Sequence, residues 1–287
     1  MRRSCELAVA VPASLVSDVP HLRERSLKIG LIGRAAAIFR VDEIIVFHDL
    51  LGVDQSRDAG LISTILSYME TPQYLRKRLF KIRPELRYAG ILPPLRTPHH
   101  PLADKMRDLS VGECREGVVV STGRNGSLVD VGVERPVLVS KAQLEVNKRV
   151  TVRIAELGRQ LIATLANREE IKEYWGYHVA ISDVPFGELV KKRAFDLVIA
   201  TSRRGVPFAG VKDQLAERWR RGRRILVAFG APSEGLHEIL AREDLRLDEV
   251  TDYVVNMIPN QGTETVRTEE AIYASLALLN MLSHIQK

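Results

Sequence analysis

The chain contains 287 residues, of which 45% are hydrophobic and 27% are charged, as is ordinary for a globular protein with a buried core. Lys and Arg number 42 against 36 Asp and Glu, and the resulting net charge of +6 permits a polyanionic partner without requiring one. The two cysteines, Cys5 and Cys114, form no CxxC pair, so they indicate neither a zinc site nor a disulfide framework. No apolar stretch approaches the roughly 18 residues of a membrane span, and we expect a cytoplasmic protein.

Strands alternate with helices in the first predicted segment, residues 1–88, which indicates a parallel sheet. The apolar pattern predicts strands over 6–11 and 41–48, and helices over 21–39, 58–69 and 72–80. The chain starts with basic residues and then turns apolar, but Pro12 and Ser14 interrupt the apolar run. That interruption favours a first strand over a signal peptide.

The second predicted segment, residues 89–167, opens with a proline-rich stretch that excludes a helix. Five short β-type runs follow, and their spacing predicts a small inserted β-barrel of the OB kind. The predicted strands lie near 115–121, 127–133, 136–139, 149–154 and 161–166, with an Asn-Gly turn after the first. His99 and His100 could be metal ligands, but the flanking prolines favour a surface loop, and we predict no metal.

The third predicted segment, residues 168–287, returns to the α/β pattern. Its predicted strands cover 179–181, 196–200, 224–229 and 253–258, and its predicted helices cover 186–192, 212–221 and 268–282. The last helix begins with Thr268, Glu269 and Glu270, which places acidic residues at the positive end of the helix dipole. One α/β domain interrupted by an inserted barrel is the predicted organisation.

Three successive strands of this segment end in loops rich in small and polar residues, at 200–205, 230–235 and 259–265. Ligands of open α/β sheets bind beyond the carboxyl ends of the strands, so three such loops together predict a pocket. The chain carries no GxxxxGK[ST] loop, no GxSxG elbow and no HExxH motif. Gly30-Leu-Ile-Gly33 lies within a predicted helix and lacks the full dinucleotide-binding pattern.

The residues of these loops, in this order, resemble SPOUT-class RNA methyltransferases, and more closely the branch whose α/β knot carries an inserted OB-like domain. The resemblance rests on Ala200-Thr-Ser-Arg-Arg-Gly205, Phe229-Gly-Ala-Pro-Ser-Glu-Gly-Leu236 and Val255-Asn-Met-Ile-Pro259 with Gly262-Thr-Glu-Thr-Val-Arg-Thr-Glu-Glu-Ala271. Tyr174-Trp-Gly-Tyr177, the stretch 28–39 and the stretches 75–80 and 89–95 extend it over nearly the whole chain.

The resemblance implies a parallel sheet with a C-terminal trefoil knot, a homodimer packed through the knot, and S-adenosylmethionine bent in the knot. Relatives often have a Ser-Leu-Asn type sequence where this chain has Thr265-Val-Arg267, so the catalytic residue does not transfer directly. Carried over onto this sequence, the cofactor-binding residues are Ala200, Thr201, Ser202, Gly230, Gly235, Met257, Ile258, Pro259, Gly262, Thr263, Thr265 and Val266.

Methyl transfer requires alignment of the acceptor atom with the methyl group, and a proton on the acceptor must be removed. Arg34 and Arg267 are candidates for positioning or for stabilising an anion, and Glu264 is the candidate base; the alternatives are phosphate contacts for the arginines and a solvated face for Glu264. Basic side chains beside the pocket and in a separate run predict RNA binding. They are Arg203, Arg204, Arg76, Arg78 and Lys81.

Two other functions stay open from the sequence. One is a non-catalytic RNA-binding or ribosome-assembly protein with a vestigial knot, against which the small residues in all three pocket loops argue. The other is a methyltransferase of protein or small molecules, whose activity would depend little on salt, whereas phosphate contacts make RNA binding strongly salt-dependent. The predicted function is methylation of RNA, and the resemblance makes a uridine of ribosomal RNA plausible.

Overall fold

The computed structural model describes residues 3–282, which form two compact units. One unit comprises residues 70–84 and 95–176, and the other comprises 3–69, 85–94 and 177–282. The outer ends of the first and third predicted segments, 1–2 and 283–287, lie outside the described residues, and the predicted three-segment boundaries stay a prediction. No helix within the described range is long and apolar enough to cross a membrane.

The strands, in chain order, are β1 (Glu6–Pro12), β2 (Glu43–Phe47), β3 (Cys114–Gly123), β4 (Gly126–Asp130), β5 (Val137–Ser140), β6 (Arg149–Glu156), β7 (Ile162–Leu165), β8 (His178–Ile181), β9 (Leu197–Pro207), β10 (Arg224–Ala228) and β11 (Tyr253–Asn256). The α-helices are α1 (Leu22–Ile38), α2 (Ser56–Glu70), α3 (Gln73–Leu79), α4 (Phe186–Arg193), α5 (Phe208–Arg221), α6 (Leu236–Ala241), α7 (Leu247–Val250) and α8 (Thr268–Leu282). Short 3-10 turns connect several of them.

Six strands form a sheet in the order β11-β9-β10-β1-β2-β8, and every neighbouring pair is parallel. The predicted parallel sheet is therefore confirmed. The central strands are apolar on both faces because helices cover both: in β1, every residue from Leu7 to Pro12 is buried. One face packs on Phe186, Leu236 and Leu240 from the helices. This arrangement brings the carboxyl ends of β9, β10 and β11 side by side.

The strand β9 is longer than the sequence predicts. Its register with β11 jumps from the pair Val254–Ala200 to the pair Val255–Val206, so residues 201–205 have no partner in β11. The sequence predicts a loop for that stretch. This prediction is wrong, because the chain stays extended as part of β9 up to Pro207. A Cβ atom on Gly205 would lie 2.6 Å from the Val254 carbonyl oxygen, so glycine is needed for this backbone contact.

The other unit contains a closed barrel of five strands, in the order β3-β4-β5-β7-β6. Its interior consists of alternate residues from each strand, among them Val119, Val129, Val139 and Ile154. The predicted five-stranded barrel is thereby confirmed, while its assignment to the OB family stays a prediction. The predicted Asn-Gly turn lies between β3 and β4, and Gly126 has a φ of +135°.

A buried network of charged side chains lies in the barrel-containing unit. Arg149 donates to both Glu70 oxygens, at 2.6 and 3.1 Å, and to Glu116 at 2.5 Å. Glu116 also accepts from Thr151 and Trp175. The carboxylates are tolerated in the interior because each is paired and hydrogen-bonded.

His99 belongs to this network, and the predicted surface loop at His99-His100 is wrong for its side chain. His99 is fully buried, and both rings contact the carbonyl oxygen of Glu70, at 2.9 and 2.7 Å. Within residues 3–282, no group of three or more His, Cys, Asp or Glu side chains is arranged to hold a metal ion.

Acid should destabilise this unit in two steps. Burial, and then repulsion from His99, lower the pKa of His100 from 6.5 to about 4. Burial raises the pKa of Glu70, but the contacts with His99 and Arg149 outweigh it and lower that pKa from 4.5 to about 2. Both groups bind protons more readily when unfolded, so their stabilising contributions are lost as the pH falls, between 6.5 and 4 for His100 and between 4.5 and 2 for Glu70.

The measurement is urea unfolding across this pH range, followed by the fluorescence of Trp175 in a Trp219→Phe background. The variant His100→Gln should lose the upper of the two pH-dependent steps and keep the lower one. A free energy of unfolding that stays constant from pH 7 to pH 3 would contradict the account.

Candidate functional site

A cavity of about 440 Å³ lies at the carboxyl ends of β9, β10 and β11. Its walls come from the extended end of β9, from the loop 229–235 after β10 and from the chain after β11, and α8 closes it with Thr268, Ala271 and Ser275. A volume of this size is in the range of small-molecule and cofactor sites. The pocket predicted from the three successive loops therefore exists as a geometric feature of the sheet-containing unit.

Two threonine hydroxyls in the cavity wall donate hydrogen bonds to main-chain carbonyls of the wall. Thr201 Oγ1 donates to the Ala228 carbonyl at 3.0 Å, and Thr268 Oγ1 donates to the Gly230 carbonyl at 3.3 Å. These bonds tie β9 and α8 to the end of β10. The end of β10 is thus joined to β9 and to α8 by side-chain hydrogen bonds to its main-chain oxygens.

Two ion pairs lie at the open side of the cavity. Arg204 pairs with Glu238, and Arg242 pairs with Glu234. Partial burial raises the pKa of Glu238, but backbone N–H donors and Arg204 outweigh it and hold the pKa below its usual range. Glu238 also accepts from the Gly235 N–H at 3.1 Å. Glu238 and Glu234 are each engaged by an arginine, so neither carboxylate faces the cavity without a partner.

Amide side chains connect β9 to the chain after β11. Asn256 Nδ2 donates to the Arg203 carbonyl at 3.0 Å, while its Oδ1 accepts from the Ile258 N–H at 3.0 Å. Gln261 Nε2 donates to the carbonyl oxygens of Thr263 and Glu264, at 2.9 and 3.1 Å, and Arg203 also donates to the latter. The carbonyl of Glu264 is fixed in this way, while its side chain is exposed at the cavity mouth.

The structure brings most of the predicted site residues together. Those that line the cavity are Thr201, Ser202, Arg203, Arg204, Gly230, Gly235, Met257, Ile258, Glu264, Thr265 and Val266. Six do not line it: Ala200, Pro259, Gly262, Thr263, Arg34 and Arg267. Arg34 donates to the Pro94 carbonyl at 2.9 Å, and the Arg267 backbone N–H is bonded to Glu270 at the start of α8.

The remaining predicted RNA contacts lie in the barrel-containing unit. Arg76 donates to the Thr71 carbonyl at 2.9 Å and Arg78 pairs with Asp130, while Lys81 is exposed. Their role in RNA binding stays a prediction.

Several lining residues were missed from the sequence. The sequence does carry a signal for those on α8, since Thr268, Ala271 and Ser275 recur at helical spacing and are all small. No local pattern distinguishes Phe229 or Asn256 as lining residues, because their position depends on which strands are neighbours. Glu238 was missed as well. The remaining lining residues were not named singly but belong to the predicted pocket loops 230–235 and 259–265; they are Ala231, Pro232, Ser233, Glu234 and Gln261.

Comparison with known proteins identifies the family. The family model described as "Putative RNA methyltransferase" matches residues 6–279. The chain belongs to this RNA methyltransferase family. An uncharacterized protein of Haloarcula marismortui is 35% identical, over 96% of this chain and 98% of that one. The 28S rRNA (uridine-N(3))-methyltransferase of Homo sapiens is also 35% identical, over 96% of this chain and 78% of that one. The resemblance predicted from the loop residues is thereby confirmed.

Among solved structures, an RNA 2'-O ribose methyltransferase aligns over 99% of this chain and 59% of its own, at 11% identity and a TM-score of 0.41. This chain, as a member of the RNA methyltransferase family, acts on RNA and requires a methyl donor.

Gly230 lines the cavity and lies against the backbone of its own loop. A Cβ atom there would lie 2.9 Å from the Glu234 carbonyl oxygen and 3.0 Å from the Gly235 Cα, so Gly230→Ala forces the 230–235 loop apart. We expect this substitution to destabilise the protein by about 1–3 kcal/mol, as overpacking does. Thermal unfolding measures the loss.

Gly262→Ala is the matched control, because a Cβ atom at Gly262 meets nothing within 4 Å. Its unfolding midpoint should equal that of the unmodified protein. Equal stability of the two variants would show that the close approach at Gly230 is not a constraint.

Proposed function

We propose that the protein transfers a methyl group from S-adenosylmethionine to ribosomal RNA, at N3 of a uridine. The observation that carries the proposal is the cavity formed by three neighbouring strand ends and α8 in a member of an RNA methyltransferase family. The substrate is inferred from the printed activity of the human relative, to which this chain is 35% identical.

The residues of the cavity suit S-adenosylmethionine. The inner wall is formed by neutral side chains, among them Phe229, Met257 and Ala271, whereas the charged residues lie toward the exposed mouth. The donor has a neutral adenosine half and a charged amino-acid half, so its polarity matches this gradient. When bound, it supplies an electrophilic methyl group carried on a sulfonium.

The protein's own residues would provide alignment and proton removal. Uracil N3 must lose its proton while it forms the bond to the methyl carbon, and the carbon–sulfur bond breaks with its electron pair left on sulfur. Glu264 is the proposed base, because Glu234 and Glu238 are engaged by Arg242 and Arg204. Arg267 lies three residues away and is a proposed positioning group. Arg34 is a second proposed positioning group and would have to exchange its hydrogen bond to the Pro94 carbonyl for one to the substrate.

RNA would approach the mouth of the cavity, where Arg203 and Arg204 are exposed. Their guanidinium groups suit phosphate oxygens, and binding through them would weaken as salt rises. Arg76, Arg78 and Lys81 are proposed as further phosphate contacts of the barrel-containing unit. The cytoplasmic location predicted from the sequence stays a prediction.

A trefoil knot and a homodimer are parts of the same proposal. The knot is carried over from the family resemblance of the three strand-end loops, which the structure brings together around one cavity. For the homodimer, the support is that Ile38 at the end of α1 and Met281 near the end of α8 are 48% and 59% exposed. The helices α1 and α8 pack against each other, and an apolar patch across the two would suit a second subunit.

Two measurements test the proposed function. Calorimetry with S-adenosylhomocysteine should show binding to the purified protein, and mass spectrometry should show N3-methyluridine in ribosomal RNA from cells with the protein and none from cells lacking it. Methylation in vitro should fall steeply between 50 and 200 mM salt because of the phosphate contacts. Absence of binding at millimolar ligand would favour the non-catalytic RNA-binding alternative.

The role of Glu264 is tested by Glu264→Gln. We expect the single-turnover methylation rate to fall by about 10²-fold, the usual contribution of a general base, and to recover as rising pH ionises the uracil. Affinity for S-adenosylhomocysteine should be unchanged. The control is Glu217→Gln, which removes an exposed carboxylate on α5 that does not line the cavity. An unaltered rate in Glu264→Gln would assign the proton to another acceptor.

A further inference from the structure

Ser275 is a buried polar residue in the cavity wall whose hydroxyl is not used by the protein. The residue lies in the middle of α8, is fully buried and lines the cavity. Its Oγ atom has no hydrogen-bond partner among residues 3–282. A buried hydroxyl without a partner is costly, since it loses its hydrogen bonds to water and gains none.

Other hydroxyls of the same unit show that this state is not forced by the helix. Ser26, buried in α1, donates to the carbonyl four residues earlier at 2.7 Å, and Thr251 does the same at 2.8 Å. The equivalent carbonyl for Ser275 belongs to Ala271, and no such bond is formed. Thr201 and Thr268, which share the cavity with Ser275, are both bonded to main-chain oxygens. Among the cavity-lining hydroxyls of residues 3–282, Ser275 Oγ is therefore the one that is fully buried and has no hydrogen bond.

The surroundings of Ser275 determine which part of a ligand it would meet. Phe229 and Met257 are buried in the same cavity, at 1% and 7% exposure, and carry no charge. The charged lining residues, such as Arg204 and Glu264, are exposed. Burying an ammonium or a carboxylate beside Ser275 would be unfavourable without a charged partner, whereas a purine or a ribose can be placed there if its polar atoms are bonded.

We propose that Ser275 Oγ forms a hydrogen bond with the adenosine part of the bound methyl donor and so sets the donor's depth in the cavity. This inference rests on the proposed function, because it takes the cavity as the donor site. Ser275 is a binding and positioning residue in this account, and it takes no part in proton transfer.

The test is Ser275→Ala, with Ser26→Ala as the matched control: both are buried helix serines, but only Ser26 has a protein partner. Calorimetry is carried out with S-adenosylhomocysteine and with methylthioadenosine, which lacks the amino-acid tail. Loss of one neutral hydrogen bond should weaken the binding of both ligands about three- to tenfold in Ser275→Ala. Ser26→Ala should leave both affinities unchanged.

Thermal unfolding of the ligand-free proteins gives a second readout that a merely structural role would not produce. Ser275→Ala should unfold at the same temperature or higher, since it removes an unpartnered buried hydroxyl, whereas Ser26→Ala should unfold at a lower temperature.

The outcomes separate this inference from the proposed function. Failure of the unmodified protein to bind either ligand would overturn both. Normal binding by the unmodified protein and equal binding by Ser275→Ala would overturn this inference alone. Weakened binding of S-adenosylhomocysteine with unaltered binding of methylthioadenosine would place Ser275 at the amino-acid tail and overturn the assignment to adenosine.

Discussion

The shape of the cavity depends on two places where the backbone of a glycine touches the backbone of another residue, so that no side chain fits there. Gly205 lies against the main chain of Val254, and Gly230 lies against that of Glu234 and Gly235. The first contact lets β9 continue through the interruption in its pairing with β11, and the second folds the loop after β10 back on itself. Backbone that is held in this way keeps its shape without a ligand, which favours binding because little further ordering is required.

The distribution of charge within the cavity follows from the same architecture. Parallel strands end in apolar residues, so the inner wall is neutral, and the charged residues come from the loops and from the exposed end of β9. Arg204 and Arg242 engage two of the three carboxylates that line the cavity. The third, Glu264, differs from these two: Arg203 and Gln261 hold its main-chain carbonyl, while its side chain is exposed. A group that must exchange a proton with a substrate benefits from a braced backbone and from a carboxylate with no ion pair among residues 3–282.

Much of the fold could be predicted from the sequence, because apolar periodicity and turn residues are local signals. The parallel sheet, the five-stranded barrel and α8 all follow from such patterns. The loop predicted for 201–205 failed because extended structure there depends on the neighbouring chain and not on its own polar residues. His99 was placed on the surface from its prolines, but its burial depends on Glu70, which lies 29 residues earlier. The short helices α6 and α7 were missed since six and four residues carry too little periodicity.

Because only local patterns can be read from the sequence, some site residues were predicted and others were not. The three loops were recognised because small residues follow each strand. Ser275 was missed because the small residues at helical spacing on α8 also suit ordinary helix packing, so their spacing alone does not indicate a cavity. The barrel-containing unit holds a dense cluster of titratable side chains, in which Arg149 contacts Glu70 and Glu116, and such a cluster can mark a functional site. Those charges satisfy one another, so they explain stability and acid sensitivity without implying a ligand. His99 Nδ1 is a buried atom without a partner in that network, yet it does not line the cavity. What distinguishes Ser275 is the conjunction of an unused hydroxyl with a space that a ligand can enter.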